Sequence, residues 1–130
     1  EIILAADTVV CYDHKILAKP INKEEAFNML TQLSGNIHDV YTSIFIRSVT
    51  EETLFIERSK VEFWPLSKKE IEWYISTNEP YDKAGAYGVQ SIGAIFVKQI
   101  IGDYYNVVGL PISRVVQELK KHSIKPLLHD

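Results

Sequence analysis

The sequence predicts a mixed α/β domain, and three observations carry that expectation. At 130 residues, with 46% hydrophobic and 24% charged side chains, the chain is long enough to close one core and too short for two. Apolar and polar residues alternate from His38 to Val49 and again from Leu54 to Trp64, the mark of two long strands. Capping boxes at Asn22 and Ser67 each precede apolar residues at helical spacing, so helices are interleaved with strands.

Taken in order, the run from Ile2 to Val10 is short, β-branched and apolar on both faces, which predicts a buried central strand. The turn-like Tyr12-Asp13-His14-Lys15 leads into a short return strand, Ile16 to Ala18, that Lys19-Pro20 ends by removing a backbone donor. Asn22 and Glu25 have N-cap and N3 spacing. Ala26, Met29, Leu30 and Leu33 then form a helical stripe that Gly35 closes. In the next strand Val40, Thr42, Ile44 and Ile46 share one face, and a turn at Thr50-Glu51-Glu52 folds it onto its partner as a hairpin. Ser67 and Glu70 start a short helix with Ile71, Tyr74 and Ile75 inward. From Glu79 to Gln90 neither period fits, and Pro80, Gly85 and Gly88 predict an irregular loop. A strand over Ile92 to Ile100, a turn at Gly102-Asp103, a short apolar segment from Tyr105 to Val108 and a helix started by Pro111 complete the chain. That last helix has Val115, Val116 and Leu119 as its buried stripe. There is no internal repeat or linker.

Charge and cysteine content narrow the partners. With 14 basic and 17 acidic residues the formal charge is -3, which gives no long-range attraction to a nucleic-acid backbone or an anionic membrane. A small phosphorylated ligand stays open, because a few lysines and backbone N–H groups bind it whatever the global charge. One cysteine, Cys11, makes no internal disulfide and no cysteine-rich zinc site, which suits the reducing cytoplasm. No run reaches the ~18 apolar residues of a membrane-spanning helix. The histidines, His14, His38, His122 and His129, lack metal-ligand spacing.

Asp7 is the first residue that packing alone explains poorly. A carboxylate in or at the end of a buried strand is paired, metal-bound or catalytic, unless it caps a turn through neighbouring N–H groups. Lys19, before Pro20 at a rigid corner, is placed to hold an ammonium toward phosphate oxygens, or is simply solvated. The loop from Glu79 to Gln90 concentrates two carboxylates, Lys83, Gln90 and two glycines. Such a loop is a ligand cradle, with Gln90 offering donor and acceptor to a base edge, or an Ω-type loop whose polar groups satisfy one another.

Several motifs stand in one order along the chain. They are Ala6-Asp7-Thr8, Lys19-Pro20, Leu33-Ser34-Gly35, the block Glu79-Pro80-x-Asp82-Lys83-Ala84-Gly85-Ala86-Tyr87-Gly88-x-Gln90, Gly102-Asp103-Tyr104-Tyr105 and Val108-Gly109-Leu110-Pro111. Together they resemble the Maf family of nucleoside triphosphate pyrophosphatases over the whole chain. The resemblance implies an α/β fold similar to that of the inosine triphosphate pyrophosphatases, with an elongated sheet flanked by helices, a nucleotide cleft and commonly a homodimer. It implies hydrolysis of a nucleoside triphosphate to monophosphate and diphosphate with a divalent cation, magnesium or manganese. Asp7 would be the catalytic proton acceptor and a possible metal contact, Lys19 and Lys83 would bind substrate, and Thr8 and Gln90 match positions that influence substrate choice. Asp-Thr paired with Ala-Tyr-Gly-x-Gln resembles the branch acting on dTTP and UTP, in a nucleotide house-cleaning role. A regulatory nucleotide-binding module without turnover, linked to septum formation, is the second reading.

Two departures stand out. The family's opening strand and its Ser-x-Ser-Pro-Arg-Arg phosphate motif would precede Glu1, so an N-terminally shortened domain is expected. Ser91 occupies a position where the dTTP/UTP branch usually has glycine, which predicts mild crowding of the local turn.

Overall fold

The computed structural model describes residues 1–124; His129 therefore lies outside the described residues. Strands and helices alternate as the sequence predicts. A five-stranded sheet runs in the order β2 (Lys15–Leu17), β1 (Ile3–Tyr12), β3 (Ile37–Arg47), β4 (Glu52–Phe63), β5 (Val97–Ile101), and all four pairings are antiparallel. The helices are α1 (Lys23–Leu33), α2 (Lys68–Ile75), α3 (Tyr104–Val108) and α4 (Ile112–Lys121).

The caps act much as their spacing predicts. Asn22 Oδ1 accepts from the Glu25 N–H at 2.8 Å, while the Glu25 carboxylate reaches one residue further back, to the Ile21 N–H. At α2 the box is complete: Ser67 Oγ accepts from the Glu70 N–H and Glu70 accepts from the Ser67 N–H. Hydrogen bonding of the Glu70 carboxylate to Ser67, first from the backbone N–H and then from the side chain, favours the ionised form, so Glu70 is held below the usual carboxylate range. The β3–β4 hairpin turns at Ser48–Glu51, slightly earlier than the polar triplet suggested, where the Ser48 N–H donates to the Glu51 carbonyl at 2.8 Å. Asp13 and His14 both adopt positive φ (52° and 63°), the two-residue turn that matches the twist of the β1–β2 hairpin.

One sheet face is covered. Val40, Thr42, Ile44 and Ile46 of β3 point into it, as their alternation requires, and are at most 1% exposed. Beneath α1 and α2 a larger core gathers Ala26, Leu30, Leu33, Phe63 and Tyr74, while Val115 of α4 covers Ile44, Ile46 and Phe55. On the other face Leu54 and Ile56 stay largely exposed.

Two expectations need correction. β1 is neither central nor buried over its first half: Ile3 and Leu4 are exposed. The reason is geometric, since β2 pairs only with Val10–Tyr12, so along Ile3–Val9 only β3 is a strand partner among the described residues. Second, the segment expected as one strand from Ile92 to Ile100 begins as a 3₁₀ turn, Ile92–Phe96, and becomes strand only at Val97. A Cβ on Gly93 would stand 2.6 Å from the Gly88 carbonyl, so the backbone here is packed against the preceding loop instead of being stretched along β4. The short apolar segment after Asp103 is α3, with Asp103 accepting from the Tyr105 N–H at 2.9 Å as its N-cap.

Candidate functional site

The covered face of the sheet, the loop from Asp82 to Ser91 and the end of α3 enclose a cavity of about 490 Å³. Thr8 and Val10 of β1 and Val40 of β3 floor it, Lys19 reaches it from the β2–α1 connection, and Lys83 and Gln90 come from the loop. Thr8, Lys19, Lys83 and Gln90, far apart in sequence, thus share one concavity. A second, smaller hollow lies alongside, lined by Val9 and Ile16 among others, and shares Thr8, Lys19 and Ala84 with the first.

Asp7 departs from its expected setting. It is exposed, not buried, so desolvation gives no argument for its chemistry. Strand alternation turns it away from Thr8, onto the face of its cross-strand partner Ser43, and it lines neither hollow. Val9, on the same side of the strand as Asp7, does line the second hollow.

The loop is built by short-range sterics and by one carboxylate. Gly85 has φ +71°, its N–H donates to the Ala18 carbonyl at 3.3 Å, and a Cβ there would lie 2.9 Å from Val10 Cγ1. This close approach holds the loop on the cavity floor. Gly85→Ala combines left-handed strain of about 1 kcal/mol with overpacking against Val10. It is expected to destabilise the domain by about 2 kcal/mol in urea unfolding; an unchanged midpoint would show that the loop does not rest on Val10.

Lys83 crosses in front of Gly88, where a Cβ would meet its Cε at 2.6 Å. Its Nζ bonds the Glu79 carbonyl at 3.3 Å and Asp82 at 3.0 Å. The hydrogen bond and charge of Lys83 hold the Asp82 carboxyl below its usual range. Lys83 is thereby aimed along the cavity wall, while Asp82 remains solvated, with a side chain 78% exposed.

Three neighbours of the cavity were given no role of their own from the sequence. Glu79, in the loop's first 3₁₀ turn, gathers the far end of the loop by accepting from the Ser91 hydroxyl and from the N–H groups of Ile92 and Gly93, both at 3.2 Å. Gln90 is thereby anchored by its neighbour. At Ser91, where mild crowding was expected, the hydroxyl closes this network. Tyr87, on the cavity wall, is bonded to buried His38 Nε2 at 2.7 Å. Burial pulls His38 down to about 4, with Asp39 opposing, and pushes Tyr87 up. Thr42, beneath Thr8, is the third. Each of His38 and Thr42 is a polar residue on the inward face of an alternating strand, which is the signal that marks them.

Among the described residues no three His, Cys, Asp or Glu side chains gather to hold a metal ion, and no helix is long and apolar enough to cross a membrane.

The profile of the family described as Maf-like protein matches residues 1–122. Proteins named dTTP/UTP pyrophosphatase from Bacillus anthracis (strain CDC 684 / NRRL 3495) and Bacillus cytotoxicus are similar to this chain. They are 54% identical over 124 residues and 55% over 121, covering 95% and 93% of it. A third with that name, from Bacillus cereus (strain ATCC 14579), is 52% identical over 124 residues. The chain spans 65%, 63% and 65% of these relatives' own lengths.

Proposed function

The chain belongs to the Maf family, and from that premise we propose that it takes dTTP or UTP into the cavity and hydrolyses it to monophosphate and diphosphate. The observation that carries this reading is the gathering of Thr8, Lys19, Lys83 and Gln90 on one concavity. Thr8 and Gln90 face the base, the latter with an amide that both donates and accepts. Lys19 and Lys83 neutralise phosphate oxygens whose charge grows as the phosphoanhydride opens. The triphosphate extends from the cavity past Val9, which lines the adjoining hollow, toward Asp7 on the same side of β1. There the carboxylate accepts a proton from a water whose oxygen bonds to phosphorus while the bridging P–O bond breaks toward diphosphate.

The family implies magnesium or manganese, but the described residues do not make a cation site by themselves. Asp7 would be one ligand beside oxygens of the nucleotide, and no step here depends on the ion. A cytoplasmic setting is in keeping with Cys11 as the sole cysteine. A homodimer belongs to the same reading, as does a house-cleaning role for the hydrolysis.

Calorimetric titration with UTP and dTTP, followed by assay of pyrophosphate release with magnesium, tests the reading. Saturable binding is expected, and Lys19→Ala should weaken it roughly tenfold, the worth of one charge-assisted contact. Absence of binding at millimolar nucleotide defeats the proposal. Tight binding without pyrophosphate release favours the module without turnover.

A further inference from the structure

Thr42 fixes the polarity of the hydroxyl that Thr8 shows to the cavity. Thr42 lies on β3 directly across from Thr8 and is fully buried. Its Oγ1 sits 2.9 Å from Thr8 Oγ1 and 3.0 Å from the backbone carbonyl of Asn106. A carbonyl oxygen only accepts, and a threonine hydroxyl carries one proton. The Thr42 proton is therefore committed to Asn106, and the contact between the hydroxyls requires Thr8 to be its donor. Thr8 Oγ1, its proton turned inward, has only lone pairs left for the cavity.

The arrangement resists rotation. The Asn106 side chain, itself fully buried, donates from Nδ2 to the Val40 carbonyl at 3.2 Å and to Ser59 Oγ at 3.0 Å. Ser59 in turn donates to the Asp103 carbonyl at 3.0 Å, which pins both ends of α3's first turn to the sheet. The Asn106 carbonyl cannot swing away to release the Thr42 proton without breaking these bonds. The open side of Thr8 is also left clear, because the nearest point of a Cβ at Gly109 would be 3.5 Å from Thr8 Oγ1 and glycine has none.

We propose that Thr42 is a positioning residue for specificity: by committing its proton to Asn106 it makes Thr8 an obligate acceptor, which selects a pyrimidine presenting an imide N3–H. Uracil and thymine have that donor, whereas cytosine presents a bare N3 lone pair, which would oppose the lone pairs of Thr8. The inference rests on the pyrimidine nucleotide reading of the cavity and goes beyond it, since that reading names no residue beneath Thr8.

The experiment compares UTP, N3-methyl-UTP and CTP by calorimetric titration on the wild-type chain, Thr42→Val and Thr42→Ser. Wild type is expected to favour UTP over both others by roughly tenfold or more, the worth of one donor–acceptor match. Thr42→Val removes the inward acceptor and lets the Thr8 proton turn to the cavity, so the UTP-to-CTP preference falls to about threefold or less. Thr42→Ser keeps the hydroxyl and restores it. A merely structural role for Thr42 lowers affinity for UTP and CTP alike and leaves their ratio in place; that outcome overturns the proposal, as does a serine variant that behaves like valine. If the wild-type chain binds none of the three, the pocket reading itself fails. The hydroxyl polarity is tested apart from any nucleotide by neutron diffraction on deuterated crystals. A Thr8 deuteron directed at Thr42 supports it, and one directed into the cavity overturns it.

Discussion

Acidification from pH 6.5 toward 4 is expected to remove up to about 3 kcal/mol of stability through His38 alone. The ring is 1% exposed, packed edge-on against Phe63 and Tyr87. Its Nε2 is shared with the Tyr87 hydroxyl, and Nδ1 has no partner among the described residues. Protonation would place a second N–H where no acceptor waits and a charge where no water reaches, so burial lowers the pKa from 6.5 to about 4. Asp39 pulls the other way, but its carboxylate is engaged by Arg58 at 2.9 Å.

The direction follows from proton counting. Below pH 6.5 the unfolded chain takes up a proton that the folded chain refuses until about pH 4. The neutral ring's contribution is therefore fully present above pH 6.5 and is lost as the pH falls through that window. At about 1.4 kcal/mol for each tenfold difference in proton affinity, the full gap gives the figure above as an upper bound. Urea unfolding at several pH values, comparing wild type with His38→Gln, isolates it. Glutamine still bonds Tyr87 and does not titrate, so the variant is expected to be less stable at neutral pH and to show a flatter acid limb. Parallel acid limbs in the two proteins would mean that His38 is not the buried neutral group.

His38 also shows where sequence reading stops. Elements fixed by near neighbours were legible: Ser67 and Glu70 are three residues apart and make the box their spacing predicts, and the inward face of β3 follows from a period of two. Features set by distant partners were not. His38 meets a tyrosine 49 positions away and Thr8 a threonine 34 positions away, and nothing local names either partner. Asp7 was misjudged for a related reason. A β-branched run signals a strand, but whether its edge and faces are covered depends on which strands arrive beside it, and along Ile3–Val9 only β3 does among the described residues. The motif residues Thr8, Lys19, Lys83 and Gln90 were legible because their types and order resemble a family pattern; their convergence on one cavity needed the fold.

Asp7→Asn is expected to lower pyrophosphate release from dTTP and UTP by roughly 10²–10⁴-fold, the usual worth of a positioned general base, while leaving nucleotide affinity nearly unchanged. The amide keeps the shape of the carboxylate and cannot accept a proton from water. Affinity is spared because Asp7 lines neither hollow, whereas Lys19 lines both. A rival exists within the cavity, since Asp82 lines it and Asp7 does not. Its bond to Lys83 holds its carboxyl low and stabilises the anion, which makes it a weaker base than an unpaired carboxylate. The two variants therefore separate two paths for the triphosphate. Loss of turnover in Asp7→Asn, with Asp82→Asn retaining most of it, means the phosphates reach a carboxylate outside the cavity. The reverse pattern means that water is oriented from inside the cavity, and Asp7 then has no part in the reaction.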